Sequence, residues 1–94
     1  MADYRIIYWK DIPSQVEALA GAERVRRLLS SRFQELIDAA AMRQGLIGTD
    51  AYLEAWRMGP MLSLAGDAQG VAETVAAQLE QQFEEIRDSA LKRA

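Results

Sequence analysis

Apolar residues alternate along the start of the chain and then recur at three- and four-residue spacing through most of the remainder. In Tyr4 to Trp9, Tyr4, Ile6 and Tyr8 share one face and Arg5, Ile7 and Trp9 the other, the period-two pattern of a strand. Both faces are largely apolar, which places this strand centrally in a sheet. Lys10 to Ser14 form a corner, because Pro13 fixes its own φ and keeps Ile12 out of helical geometry. Gln15 to Ala20 admits two readings. With Val16, Ala18 and Ala20 on one face it returns as the second arm of a hairpin closed by Gly21. With Ser14 as N-cap and Glu17 at capping-box spacing, it opens a short helix instead. The hairpin is the reading adopted.

From Glu23 to Arg43, the recurrence of Val25, Leu28, Leu29, Leu36, Ile37, Ala40 and Ala41 predicts one long amphipathic helix. Gly45 and Gly48 stop it, and Thr49 or Asp50 can cap a shorter helix to about Met58, with Tyr52, Ala55 and Trp56 on one side. Gly59 and Pro60 end that helix, and Met61 to Ala65 reads as a third strand. Asp67 is placed to cap a last helix from Ala68 to about Lys92, striped by Val71, Val75, Leu79, Phe83, Ile86 and Ala90. Such a helix would be about 37 Å long in a domain roughly 32 Å across, so its end would meet a second copy or another protein. The expected fold is α+β, with residues 1–94 as a single domain. Three antiparallel strands pack on three helices in the order β-β-α-α-β-α.

Composition changes this picture mainly by exclusion. Among 94 residues there is no Cys and no His. A thiol nucleophile, a disulfide framework, a thiolate zinc site and an imidazole base are therefore all outside this chain's chemistry. Four carboxylates in the last helix, Glu80, Glu84, Glu85 and Asp88, read as a solvated face rather than a metal site. No run approaches a membrane span, and the start lacks a secretory leader pattern, so a cytoplasmic protein is expected. A net charge of −3 argues against general nucleic-acid binding. The basic cluster Arg24, Arg26, Arg27 and Arg32 is the one candidate for a specific anion, with Arg24 and Arg27 aligned if the segment is helical.

Two further groups are candidates for binding. Trp9, Lys10 and Asp11 form either an exposed recognition corner or a core wedge beside a turn that Asp11 caps. Gln34, Asp38 and Arg43, with Tyr52 and Trp56, either line a groove for a small ligand or peptide, or tie two helices through a pair of Asp38 with Arg43 or Arg57.

The segments YWKDIPSQV (Tyr8 to Val16), RFQELIDAAAMRQGLIGTDAYLEAW (Arg32 to Trp56) and AGDAQGVAETVAAQLE (Ala65 to Glu80) together resemble the small bacterial virulence-factor domain family. That family also occurs fused to HEAT-like repeats in conserved virulence factor C proteins. The resemblance covers nearly the whole chain. It implies no substrate, cofactor or catalytic residue, and it implies a gene setting beside one-carbon or corrinoid methyltransferases. The resulting expectation is a small non-catalytic accessory domain that binds a larger protein, with a homodimer through the last helix as a further possibility. Its alternatives are a helix-lined pocket with weak catalysis built on Asp38, Arg43 and Tyr52, and nucleic-acid binding through the arginine cluster.

Overall fold

The alternating N-terminal segment forms β1 (Ala2–Trp9), inside an antiparallel sheet that a computed structural model describes together with the rest of residues 1–93. β2 (Ile12–Ala20) returns beside it, so the hairpin reading of residues 15–20 holds. Lys10 and Asp11 make its two-residue turn, with Lys10 at φ 53°. Register slips by one residue where Ile7 faces Gln15 and Tyr8 faces Pro13. Pro13 lacks a ladder donor and is tolerated at such a bulge.

The long helix expected from Glu23 divides in two. Glu23–Leu28 is the edge strand β3, paired along its length with β2, and α1 begins only at Ser31 and runs to Arg43. Gly21, at φ 60°, takes the first position of the two-residue turn between β2 and β3, where a hairpin needs a positive φ. A second short helix, α2, covers Asp50–Glu54 and is capped by Thr49, whose side chain accepts from the Tyr52 amide. It ends four residues earlier than expected, because Trp56–Met58 forms strand β4 against Ile7–Trp9.

β5 (Leu62–Leu64) pairs with Ala2–Tyr4 on that same edge of β1. Between the pairs Ile7 to Met58 and Tyr4 to Leu62, three steps along β1 oppose four along the other strand. Gly59 and Pro60 therefore sit in a bulge that splits one edge strand, and do not end a helix. The Gly59 amide donates to the Ile6 carbonyl at 2.8 Å, and a Cβ there would lie 2.9 Å from the Tyr8 ring and 3.0 Å from that carbonyl oxygen.

The last helix also divides. α3 (Ala68–Gln81) opens on Asp67, whose carboxylate accepts from the Gly70 amide as expected, and closes at Gln82. α4 (Phe83–Arg93) then folds back along α1. The Phe83 ring meets Phe33 edge-on at 5.0 Å, and Arg43 donates to the Leu91 carbonyl. Ile86, Ala90 and Leu91 pack on the chain's own core. The single long helix from which an overhanging end was expected is therefore two shorter ones.

Among the described residues, five strands and four helices thus replace the expected three and three. α1, α3 and α4 cover one face of the sheet, where Val16 and Ala18 meet Phe33, Ile37, Val71 and Val75. No helix among the described residues is long and apolar enough to cross a membrane.

One carboxylate ties this layer together. Glu80, near the end of α3, accepts from the Ser30 amide at 2.6 Å, the Ser30 hydroxyl at 2.7 Å and Arg32 at 3.0 Å, tying the end of α3 to the N-cap residue of α1. Burial pushes its pKa up, but these donors and the Arg32 charge outweigh burial and hold it below 4.5. A depressed folded pKa means stability that is present above the unfolded value and lost as pH falls through the folded one. Glu80→Gln is expected to lower stability at pH 7 by about 1–2 kcal/mol, with the gap to wild type closing below pH 4.5 in urea titrations.

Candidate functional site

The corner that looked like a recognition site is mostly a lock. Trp9 is fully buried, and its indole N–H donates to the Tyr52 carbonyl at 2.9 Å while the two rings stand 5.6 Å apart. Of its two readings, the core wedge is the one the fold adopts. Burial at the end of β1 explains this, since α2 closes over the strand there and Trp56 meets the other side of Tyr52 at 6.4 Å. Lys10 and Asp11 remain exposed. Lys10 lies over the Trp9 ring and donates to Gln44, and Asp11 pairs with Arg57 at 3.5 Å. A cleft of about 330 Å³ opens beside Asp11, lined by Gln82 at the end of α3 and by Glu85, Ile86, Ser89 and Ala90 of α4.

The second candidate group does not converge. Asp38 accepts from Gln34 at 3.0 Å along one face of α1, Arg43 reaches Leu91 on α4, and Tyr52 is held against Trp9 and Trp56. Asp38 therefore pairs with neither Arg43 nor Arg57, so the ion pair that was one of its two readings does not form. An open groove of about 640 Å³ lies beside Asp38, with Met42, Gly45 and Ile47 as its other walls. Arg43, Tyr52 and Trp56 take no part in lining it.

The arginine cluster is dispersed by the strand that replaced the helix. Alternation puts Arg24 and Arg26 on one side of β3 and Arg27 on the other, so the expected alignment of Arg24 with Arg27 is lost. Arg27 turns to the helices and pairs with Glu73 at 3.0 Å, and Arg32 pairs with Glu80. The four guanidiniums do not form one anion-binding surface.

A different surface emerges on the sheet face opposite the helices. Tyr4, Ile6, Val16, Ala18, Ala20 and Val25 pack on the core, so the alternate positions of β1, β2 and β3 point the other way. They form three rows across the strands. Met58, Ile7, Gln15 and Leu28 make the first, Arg5, Glu17 and Arg26 the second, and Asp3, Leu19 and Arg24 the third. Leu28 and Met58 are 62% and 61% exposed. In the first row the Gln15 side-chain oxygen is buried and accepts no hydrogen bond among the described residues.

Glu17 is the centre of this face. It is only 2% exposed, and both its oxygens are engaged: Arg5 donates to one at 2.8 Å and Arg26 to the other at 3.2 Å. Burial pushes its carboxyl up, yet the hydrogen bonds from Arg5 and Arg26 and the charges of Arg5 and Arg24 more than offset this and hold it low. Three guanidiniums, of Arg5, Arg24 and Arg26, against the two carboxylates of Glu17 and Asp3 leave a small local positive excess on a chain whose net charge is −3.

Residue-type spacing did not disclose this face, since Arg5, Ile7, Glu17 and Met58 come together only through strand pairing. The available signal was the alternation of Arg24 and Arg26 after Gly21.

A family model described as Virulence factor matches residues 7–91 of the chain. No curated protein and no solved structure matches it.

Proposed function

The chain belongs to the virulence factor family, and from that premise we propose that it is a non-catalytic accessory domain that docks a larger protein on the uncovered face of its sheet. The observation that carries this reading is the face of β1, β2 and β3 opposite α1, α3 and α4, bearing Leu28 and Met58 exposed around the Arg5, Glu17 and Arg26 row. An antiparallel sheet usually keeps its second face polar, so exposed apolar side chains beside paired guanidiniums are what an interface core with a charged border would need. Its excess positive charge fits a partner surface that combines acidic and apolar groups. A donor from that surface would also satisfy the Gln15 oxygen after a side-chain rotation.

The family resemblance makes a component of a one-carbon or corrinoid methyltransferase system the first partner to seek. The test is affinity capture of the tagged chain from its native cell, alongside the double variant Leu28→Asp, Met58→Asp. Both positions are exposed, so stability is expected to change by no more than about 0.5 kcal/mol. Wild type is expected to recover a stoichiometric partner and the variant less than about a tenth of it, given the roughly 1.4 kcal/mol per tenfold loss. Equal recovery by both proteins, or no stoichiometric partner under gentle conditions, would overturn the proposal.

A further inference from the structure

We propose that the free edge of β3 takes an extended acidic segment as an additional antiparallel strand. The inference rests on the docking reading above and specifies the chemistry of the partner. β3 pairs with β2 on one side and with no other strand among the described residues. The Leu29 amide donates to the Ser14 carbonyl, so in this register Arg27, Val25 and Glu23 direct their backbone groups at β2. The backbone N–H and C=O groups of Arg24 and Arg26, and the N–H of Leu28, consequently point outward. The Leu28 carbonyl is held by the Arg27 guanidinium, which marks the end of the free edge.

The same three residues carry their side chains on the uncovered sheet face. An incoming strand would therefore set its hydrogen-bonded residues directly opposite Arg24, Arg26 and Leu28, with their side chains on that face. Acidic groups suit the first two positions and an apolar group the third. Read from the N-terminus of an antiparallel segment, the pattern is apolar-x-acidic-x-acidic. Arg26 is 59% exposed at its side chain while pairing with Glu17, and Arg24 is exposed, so both guanidiniums can reach a neighbour.

A second copy of this chain does not meet the requirement. Central antiparallel pairing of two β3 strands sets Arg26 opposite Arg26 or Arg24 opposite Arg26, and like charges directly opposite are unfavourable. Arginines that guard the edge against self-pairing thus also select an acidic strand from another protein.

The test uses the full chain and a fluorescein-labelled peptide, Thr-Ile-Thr-Glu-Thr-Glu-Thr, read by fluorescence anisotropy and by amide exchange. Binding is expected, with slowed exchange at the Arg24, Arg26 and Leu28 amides, and at least a tenfold loss when both Glu are replaced by Lys. N-methylation at both Glu amides is expected to abolish binding, because those amides would face β3. Arg24→Glu, which leaves the pair of Glu17 with Arg26 in place, is expected to weaken the acidic peptide and to strengthen the Lys peptide.

Equal affinity for the two peptides, indifference to N-methylation, or a dimer of the free chain joined through β3 would overturn the inference. If the peptide does not bind while partner capture still depends on Leu28 and Met58, the edge inference alone falls. If the peptide binds as expected but capture is insensitive to Leu28 and Met58, the docking proposal falls and the edge remains a site for acidic strands.

Discussion

Trp9→Ala is expected to lower the unfolding free energy by about 3–5 kcal/mol and the thermal midpoint by roughly 15–30 °C. Trp9 has no exposed surface, packs on Tyr52, and closes the end of β1 under α2 and β4. Its removal leaves a cavity at the junction of three elements and strands the Tyr52 carbonyl that its indole satisfies. Trp9→Phe separates the two contributions, since it keeps most of the ring volume and removes the donor. A loss of about 1–2 kcal/mol is expected there. Urea unfolding followed by circular dichroism checks both, and a change below about 1 kcal/mol for Trp9→Ala would show that the ring is not a core wedge.

Glu17→Ala is expected to cost about 2–3 kcal/mol at pH 7. The upper range for breaking a buried ion pair does not apply, because Arg5 and Arg26 are 28% and 59% exposed at their side chains and keep water as a substitute partner. The loss comes mainly from leaving three guanidiniums on one face without their common carboxylate. Because the folded pKa of Glu17 is depressed below 4.5, its contribution is complete above that value and disappears as pH falls through the folded pKa. Wild type and Glu17→Gln should therefore differ at pH 7 and converge in acid. A double-mutant cycle with Arg5→Ala isolates the pair, and a coupling near zero would contradict the account of this row.

The legible part of the fold was the part written in local pattern. β1 and the return of β2 followed from period-two alternation, and Asp67 and Thr49 fulfilled their capping roles. β3 was hidden because Val25, Leu28 and Leu29 happen to fall at helical spacing and run on into the stripe of α1, while arginine is itself a good helix former. Pairing with β2 overrode that local preference. Trp56 was hidden by the same coincidence, standing four residues after Tyr52 as in a helix, although its place is set by Trp9 across the strand. At Gln82 no proline or glycine announces a break. What ends α3 there is the packing of Phe83 against Phe33 and of the Arg32 guanidinium over the Phe83 ring at 4.4 Å, both contacts about fifty residues apart in sequence.

The site followed the same division. Lys10 and Asp11 were recognisable as a corner, yet the neighbouring Trp9 was drawn into the core by α2, an element whose docking no local pattern specifies. Glu17 looked like one polar residue within a strand. Its position at the centre of a charged row depends on Arg5 and Arg26, which lie on different strands. A cluster that appeared contiguous in sequence, Arg24 to Arg32, was instead divided between two faces and a helix, because a strand alternates sides at every residue.

The docking proposal places the contact on the uncovered sheet face, and the other exposed apolar surface against which it is tested is the groove beside Met42, which is 69% exposed. Placing the photo-reactive residue p-benzoylphenylalanine at Met58 in one protein and at Met42 in another, then irradiating each in its native cell, separates them. The account predicts a discrete crosslinked partner from position 58 and none from position 42. A crosslink from position 42 with none from position 58 would contradict it.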